Sequence, residues 1–360
     1  MNFPRVTIQI VIWNSLKFLP DCLTSIFSQT YRDFQVLVID NESQDGAVKF
    51  LKANYPEVTV FQNNKNLGFA KAHNQGIKLL NSPYILVCNP DIILESDWLE
   101  IIMNKADAPA STQPRFAARR GGEPVNEQFG ALGGKVLKMK IINKEINDIE
   151  KLNIIDSCGL KIFKSHRVVE LGAGKASDKF INEQEVFGHS GALVLYNRRA
   201  LEDCLVKTQD HPQGEYFDED FFCYKEDVDL AWRLQLNGWK SLLIPEATAY
   251  HIRTMSGSER KGIRKIMENK KNQSNFAKYY SYRNHFFVIL KNEFSANLIK
   301  YLPQILWYEL KKFIYILIFE WSNLRAVGSL FHLMPKMLRK RKLILNRAKV
   351  NFNYIRKWIN

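Results

Sequence analysis

The sequence predicts an α/β protein: a mostly parallel sheet flanked by helices, followed by a basic helical extension. Three observations carry this. Over residues 1–252, short strand-like runs alternate with helical periodicity across short connections. One run, Tyr84-Ile-Leu-Val-Cys88, is apolar without alternation, as in a strand covered on both faces. Charge is also segregated: residues 253–360 hold 23 of the 51 lysines and arginines but 5 of the 37 acidic residues.

The elements follow in order. Val6 to Trp13 reads as a first strand. Leu19, Cys22, Leu23, Ile26 and Phe27 recur at helical spacing and give a first helix its core face. Phe34 to Ile39 is a second strand with Asp40 at its end, and the polar turn Asn41 to Gly46 leads into a helix. Val58 to Phe61 is a third strand, Asn63 to Gly68 a loop, and Phe69 to Leu80 a helix. Pro90 stops the Tyr84 strand because it has no N–H to donate, which presents Asp91 at the carboxyl edge of the sheet. Lys105–Gly130, rich in Ala, Pro, Gly and Arg, reads as a mobile surface loop within the first domain. Short apolar pieces broken by Gly159, Gly172 and Gly174 suggest a strand excursion beside the site. Trp239 to Ile244 is a further strand, with His251 just beyond its end.

Composition excludes several classes. An apolar fraction of 46% is ample for a core. Cys22, Cys88, Cys158, Cys204 and Cys223 are odd in number and never in a C-x-x-C pair, which argues against disulfides and zinc and suits a cytoplasmic setting. Val6–Trp13 is too short for a signal peptide. The first strand-to-helix turn, Trp13-Asn-Ser-Leu-Lys-Phe-Leu-Pro20, has no glycine, so a dinucleotide-binding G-x-G-x-x-G is absent, and no P-loop occurs.

Glu226 onward looks helical, with Val228, Leu230, Ala231, Leu234 and Leu236 mostly inward. Asp229 is placed to pair with Arg233 at i,i+4. That leaves Glu226 and Asp227 without a partner, after an aromatic run that partly dehydrates them, and makes both candidates for acid–base work.

The last third is helical and cationic. In Leu298–Trp321 the longest clean apolar run, Phe313–Phe319, is far short of the ~20 residues that span a bilayer. Next to Lys336, Arg339, Lys340, Arg341 and Lys342, this predicts an interfacial helix on an anionic membrane surface, with a packed helical cap as the alternative. No helix-turn-helix, zinc-finger or RNP signature supports a nucleic-acid partner.

Several ordered motifs now combine: Ile39-Asp-Asn-Glu-Ser43, Asn66-Leu-Gly-Phe-Ala70 with Asn74 and Gly76, Asn89-Pro-Asp91, Asp156-Ser-Cys-Gly159, Phe217-Asp-Glu219, Glu226-Asp-Val-Asp-Leu230, His251 and Arg283-Asn284. Together they resemble family 2 glycosyltransferases of the GT-A fold, and more narrowly the bacterial rhamnosyltransferase-like branch, over most of residues 5–292. The resemblance implies a Rossmann-like catalytic domain over 1–252, and the charge and apolar stripes of 253–360 predict a membrane-associated helical region there. It implies that Asp40 accepts from the N–H of uracil or thymine, and that Asn14, Asn66, Gly68 and Asn74 serve the nucleotide-sugar. Asn89 and Asp91 stand where the family has its DxD motif. Asn replaces the first Asp, so Asn89 touches ribose and Asp91 supplies the charged ligand to Mg²⁺ or Mn²⁺. His251 matches a second metal ligand of some relatives, which favours Mn²⁺, and Asp227 falls on the general base. The implied reaction inverts the anomeric centre, with dTDP-rhamnose the first donor to test and UDP-hexoses the second. The implied acceptor is a glycan or polyprenyl-linked glycan in cell-surface glycan synthesis, met at the inner face of the cell membrane by a peripheral protein. The alternative is a non-catalytic nucleotide-sugar or lipid-binding module, which loss of Asp91 or Asp227 would favour.

Overall fold

The computed structural model describes residues 3–108, 129–141, 149–252 and 274–360. Strands and helices first alternate: β1 (Val6–Ile12), α1 (Leu19–Phe27), β2 (Phe34–Asp40), α2 (Ala47–Asn54), β3 (Thr59–Gln62), α3 (Gly68–Leu79) and β4 (Tyr84–Cys88). β5 (Ile92–Leu94) and α4 (Trp98–Ala106) follow. The second half is richer in strands: β6 (Phe129–Ile141), β7 (Ile149–Ser157), the hairpin β8 (Leu160–Ile162) and β9 (Val168–Glu170), β10 (Gln184–Val186) and β11 (Leu193–Asn197). Then come α5 (Arg198–Asp203), α6 (Glu226–Leu236) and β12 (Lys240–His251).

The main sheet runs β10-β12-β6-β11-β4-β1-β2-β3, with β5 on β12 and β7 on β6. β1 is parallel to both β2 and β4, and β2 to β3, so their carboxyl ends form one edge. β11 enters antiparallel between β4 and β6. The sheet is therefore mixed and mostly parallel in its first half. Its strands are buried on both faces: Ile8, Ile10, Val38, Leu86 and Val87 are fully enclosed. All five cysteines are free thiols.

β12 departs from expectation. It runs to His251 instead of stopping at Ile244, because a register shift between Ile244 and Thr248 absorbs Pro245, which cannot donate to the ladder. His251 is thus the strand's last residue, held opposite Ile92 of β5. The Lys105–Gly130 loop lies largely outside the described residues.

The C-terminal helices are α7 (Asn275–Asn292), α8 (Ser295–Phe319), α9 (Leu324–Asn346) and α10 (Phe352–Arg356). Phe287, Tyr301, Met337 and Ile355 share one core with Ile162, Phe187, Phe221 and Trp232, so residues on both sides of position 252 bury each other. The Asn360 N–H donates to the Ile162 carbonyl at 3.0 Å. The basic run of α9 does not form one solvent face, which corrects the expectation for it. Lys340 is 1% exposed and Arg341 donates to the Leu290 carbonyl, whereas Arg339 and Lys342 are exposed. Among the described residues no helix is long and apolar enough to cross a membrane.

Candidate active site

The carboxyl edge of β1–β3 is built by short polar side chains that tie loops together. The Asn14 N–H donates to Ser43 Oγ at 2.9 Å, and Asn14 Oδ1 accepts from the Gln44 N–H at 2.8 Å. Asp40, buried at the end of β2, accepts from the Ser43 N–H at 3.0 Å. Asn66 Oδ1 accepts from the Gly68 N–H at 2.9 Å. Gly68 has φ +79°, and a Cβ there would come within 2.5 Å of the Phe222 carbonyl oxygen, so only glycine fits. Asn14, Asp40, Asn66 and Gly68 therefore gather at one edge. Asn74 does not join them. Its Oδ1 accepts from the Tyr216 and Phe217 N–H groups and its Nδ2 donates to the Phe217 carbonyl and Glu219. Its amide is fully committed to holding the 216–219 segment, a positioning role and not a donor contact.

The β5–β12 register brings a second set together. His251 Nε2 lies 3.3 Å from Asp91 Oδ1, and His251 Nδ1 lies 2.9 Å from Asp156 Oδ2. Burial alone would lower the imidazole pKa, but Asp91 and Asp156 outweigh it and hold it at about 9. Asp156 fixes the ring so that Nε2 faces Asp91, the arrangement by which a carboxylate orients a metal-binding histidine. Asp91 and His251 fit a hard divalent cation that takes its remaining ligands from diphosphate oxygens and water. Among the described residues there is no cluster of three or more His, Cys, Asp or Glu side chains that could hold a metal ion. A small recess lies beside this pair, lined by Asp156, Ser157, His189, Ser190, Ala192 and His251. Asn89 precedes it, with its N–H on the Ala192 carbonyl at 2.8 Å.

Asp227 sits on the other side of the Ser190–Ala192 turn. Its Oδ2 accepts from the Gly191 N–H at 2.9 Å, and it remains partly accessible at the start of α6. A Cβ on Gly191 would lie 3.3 Å from the Asp227 Cβ and 3.2 Å from Phe69 Cζ, so glycine permits this approach. Glu226 differs. It is 6% exposed and its Oε2 has no partner. Burial first, and the adjacent Asp227 second, push its carboxyl well above the usual range. Both causes favour the neutral carboxyl over the carboxylate.

The loop before α6 is strained and clamped. Phe222, Tyr224 and Lys225 all have positive φ, at 63°, 66° and 71°. Such non-glycine residues cost about 1–3 kcal/mol each and persist where the surroundings over-determine them. Here the Asn284 amide donates to the carbonyls of Phe221, Cys223 and Tyr224 at 2.8–2.9 Å. Arg283 donates to the Asp220 carbonyl. Below it, Asp218, Asp220 and Asp229 meet Lys291, Lys336 and Lys340 from α7 and α9. Asp229 also pairs with Arg233 at 3.0 Å, as its spacing predicts. Burial would raise the carboxyls of Asp218 and Asp229, but the lysines and Arg233 hold both below the usual range.

Sequence reading missed two groups. Asp156 stood in a quoted motif without a role, and only the β6–β7 pairing brings it to His251. Gly191 acts through its backbone, and the only signal was a glycine placed just before a buried strand.

The chain is 25% identical over 246 residues to the N-acetylglucosaminyl-diphospho-decaprenol L-rhamnosyltransferase of Mycobacterium tuberculosis, covering 65% of this chain and 71% of that one. It is 32% identical over 105 residues to the chondroitin synthase of Escherichia coli, a match spanning 28% of this chain and only 15% of that protein. Among solved structures it resembles S. aureus TarS 1-349, with a TM-score of 0.50 and 15% identity over 98% of this chain and 91% of that one. It also resembles GalNAc-T7 bound to UDP, GalNAc and Mn²⁺, with a TM-score of 0.54 and 13% identity over 81% of this chain and 48% of that one. The two structures share the GT-A fold expected from the motifs. Residues 7–205 match the glycosyl transferase family 2 profile, more than half of the chain, and the protein belongs to that family.

Proposed function

We propose that this protein is an inverting glycosyltransferase that moves a sugar from a nucleotide-sugar to an acceptor hydroxyl. The observation that carries the reading is the Ser190–Ala192 turn. Its Gly191 N–H holds Asp227, and its Ser190 and Ala192 line the recess of Asp156 and His251, beside Asp91. A single base and a separate cation pair are what one in-line displacement requires. Asp227 takes the proton from the acceptor hydroxyl as its oxygen attacks the anomeric carbon. Asp91 and His251 hold Mn²⁺ or Mg²⁺, which would neutralise charge on the departing nucleoside diphosphate. Asn14, Asp40, Asn66, Gly68 and Asn89 hold the nucleotide along the strand edge. Asp227, partly accessible where Glu226 is buried, is the base of the pair.

The donor is a pyrimidine nucleotide-sugar, because Asp40 offers an acceptor to a ring N–H, with dTDP-rhamnose first and UDP-hexoses second. The likeness to a transferase named for a decaprenol diphosphate acceptor supports a lipid-linked glycan acceptor, met at the inner face of the membrane. The test is incubation with a panel of UDP- and dTDP-sugars, Mn²⁺ or Mg²⁺ and a lipid-diphosphate acceptor, reading product anomeric configuration by NMR. Transfer with inversion supports the reading. Retention, or full activity in excess EDTA, overturns the mechanism, and tighter binding of GDP than of UDP and dTDP overturns the base assignment.

A further inference from the structure

We infer that the outer face of α8 docks in the plane of an anionic lipid bilayer. Ile299, Leu302, Leu306, Leu310, Phe313 and Leu317 are all exposed on this helix. At 3.6 residues per turn they fall within an arc of about 80°. Trp307 and Trp321 flank this ridge at 61% and 71% exposure. So wide an apolar face, left in water, marks an interaction surface.

Charge selects the occupant. The three acidic residues of positions 274–360 are all buried and paired inward. Glu293 meets His166 at 2.7 Å, Glu309 meets His285 at 2.8 Å, and Glu320 meets Lys278 at 3.2 Å. Lys300 and Lys311 on α8, and Arg325, Arg339 and Lys342 beyond it, are exposed. Lys311 Nζ lies 4.6 Å from the Trp307 ring centroid, at the edge of the ridge. The outside of this region is thus apolar and cationic and shows no carboxylate. A second copy of the chain would bring these cations against each other, whereas anionic head groups neutralise them. A helix too polar to cross a bilayer but with such a face lies along its interface.

The ridge also ends near the site. Glu320, beside Trp321, is paired to Lys278 on α7. Two residues further along α7, Tyr280 stacks on Phe222 at 5.3 Å, and the Phe222 carbonyl accepts from the Ala70 N–H. Docking by α8 sets the rim of the site beside the bilayer, where a lipid-anchored acceptor would be presented.

The test is co-sedimentation of the full chain with vesicles of phosphatidylglycerol and phosphatidylcholine, next to vesicles of phosphatidylcholine alone. It reads binding, not transfer, so it stands apart from the catalytic proposal. Binding to the anionic vesicles is expected to weaken at least about tenfold for K300E/K311E and for L306E/L310E. It should also weaken in high salt. Melting temperature and circular dichroism of both variants should match the parent, because these side chains are exposed. Equal pelleting of parent and variants overturns the inference. A parent dimer in light scattering that L306E/L310E turns into a monomer also overturns it, because a second copy then covers the ridge.

Discussion

Lys340 Nζ lies 2.7 Å from Asp218 Oδ1, which joins α9 to the loop that leads into Asp227 across 122 residues of chain. The same ammonium also meets Asp220 at 2.8 Å. Lys340 is 1% exposed and Asp218 2%. Removing one member of such a buried pair strands the other charge and costs about 3–5 kcal/mol. K340M should therefore lower stability by that order in chemical denaturation. K340M/D218N should lose less than the two single changes together, because the stranded charge is gone. A K340M loss under about 0.5 kcal/mol would make the cluster incidental.

The same cluster sets a pH dependence. Asp218 and Asp229 have folded pKa values below their unfolded ones, held there by lysines and Arg233 against burial. The stability they contribute is present above the unfolded pKa of about 3.9 and is lost as pH falls through the folded values. Lys340 is shifted upward by Asp218, Glu215 and Asp220 against burial, so its share is present below about 10.4 and lost only in strong base. K340M should accordingly unfold in acid at a higher pH than the parent. Coincident acid transitions by circular dichroism would refute this.

Glu226 acts with the opposite sign. Its folded pKa is raised, by burial and then by Asp227, so folding favours its neutral form. Stability from this group is full below the unfolded pKa of about 4.3 and falls as pH rises towards the folded value, by up to about 1.4 kcal/mol per pH unit. E226Q removes the titration while keeping the shape. Its stability relative to the parent should grow as pH rises above the unfolded pKa of about 4.3, and a flat difference above that pH would contradict the assignment.

Asp156 should matter through His251. It touches Nδ1 at 2.9 Å and lies 2% exposed beneath the ring. D156N should weaken Mn²⁺-supported UDP binding about 10–100-fold in calorimetry, the usual cost of losing a carboxylate behind a metal-binding histidine. UDP binding in the absence of Mn²⁺ should stay the same. Equal losses with and without the metal would mean that the recess has collapsed instead.

The first half of the fold was legible in sequence because each parallel strand is an apolar run ending in a polar edge residue. Asp40 and Asp91 are both placed by that rule. β12 was read short because Pro245 imitates a strand end, and only the bulge pairing carries the chain on to His251. The Asp229–Arg233 pair was local and therefore visible, whereas Asp229 to Lys291 joins positions 62 apart. The α9 lysines read as a surface charge run because sequence spacing cannot say which of them meets a buried carboxylate. Gly191 and Asn284 act through backbone groups, which leave no side-chain signature at the partner position.

Asp227 carries the sharpest expectation. It is anchored by one oxygen to the Gly191 N–H, and its other oxygen accepts from the Val228 N–H at 2.7 Å. Both bonds hold the carboxylate in place while leaving lone pairs for an acceptor hydroxyl. Glu226, next to it, is buried, and Asp229, about 200° round the helix, is enclosed by Arg233 and Lys291. D227N keeps the shape but takes no proton, and loss of a general base costs about 10²–10⁴ in rate. Turnover should fall by that factor while Mn²⁺-supported nucleotide binding stays within about twofold. D229N should instead lower stability, with activity lost only as the protein unfolds. If D227N turns over within a few-fold of the parent while E226Q is inactive, the proton goes to Glu226 and the assignment is wrong by one residue.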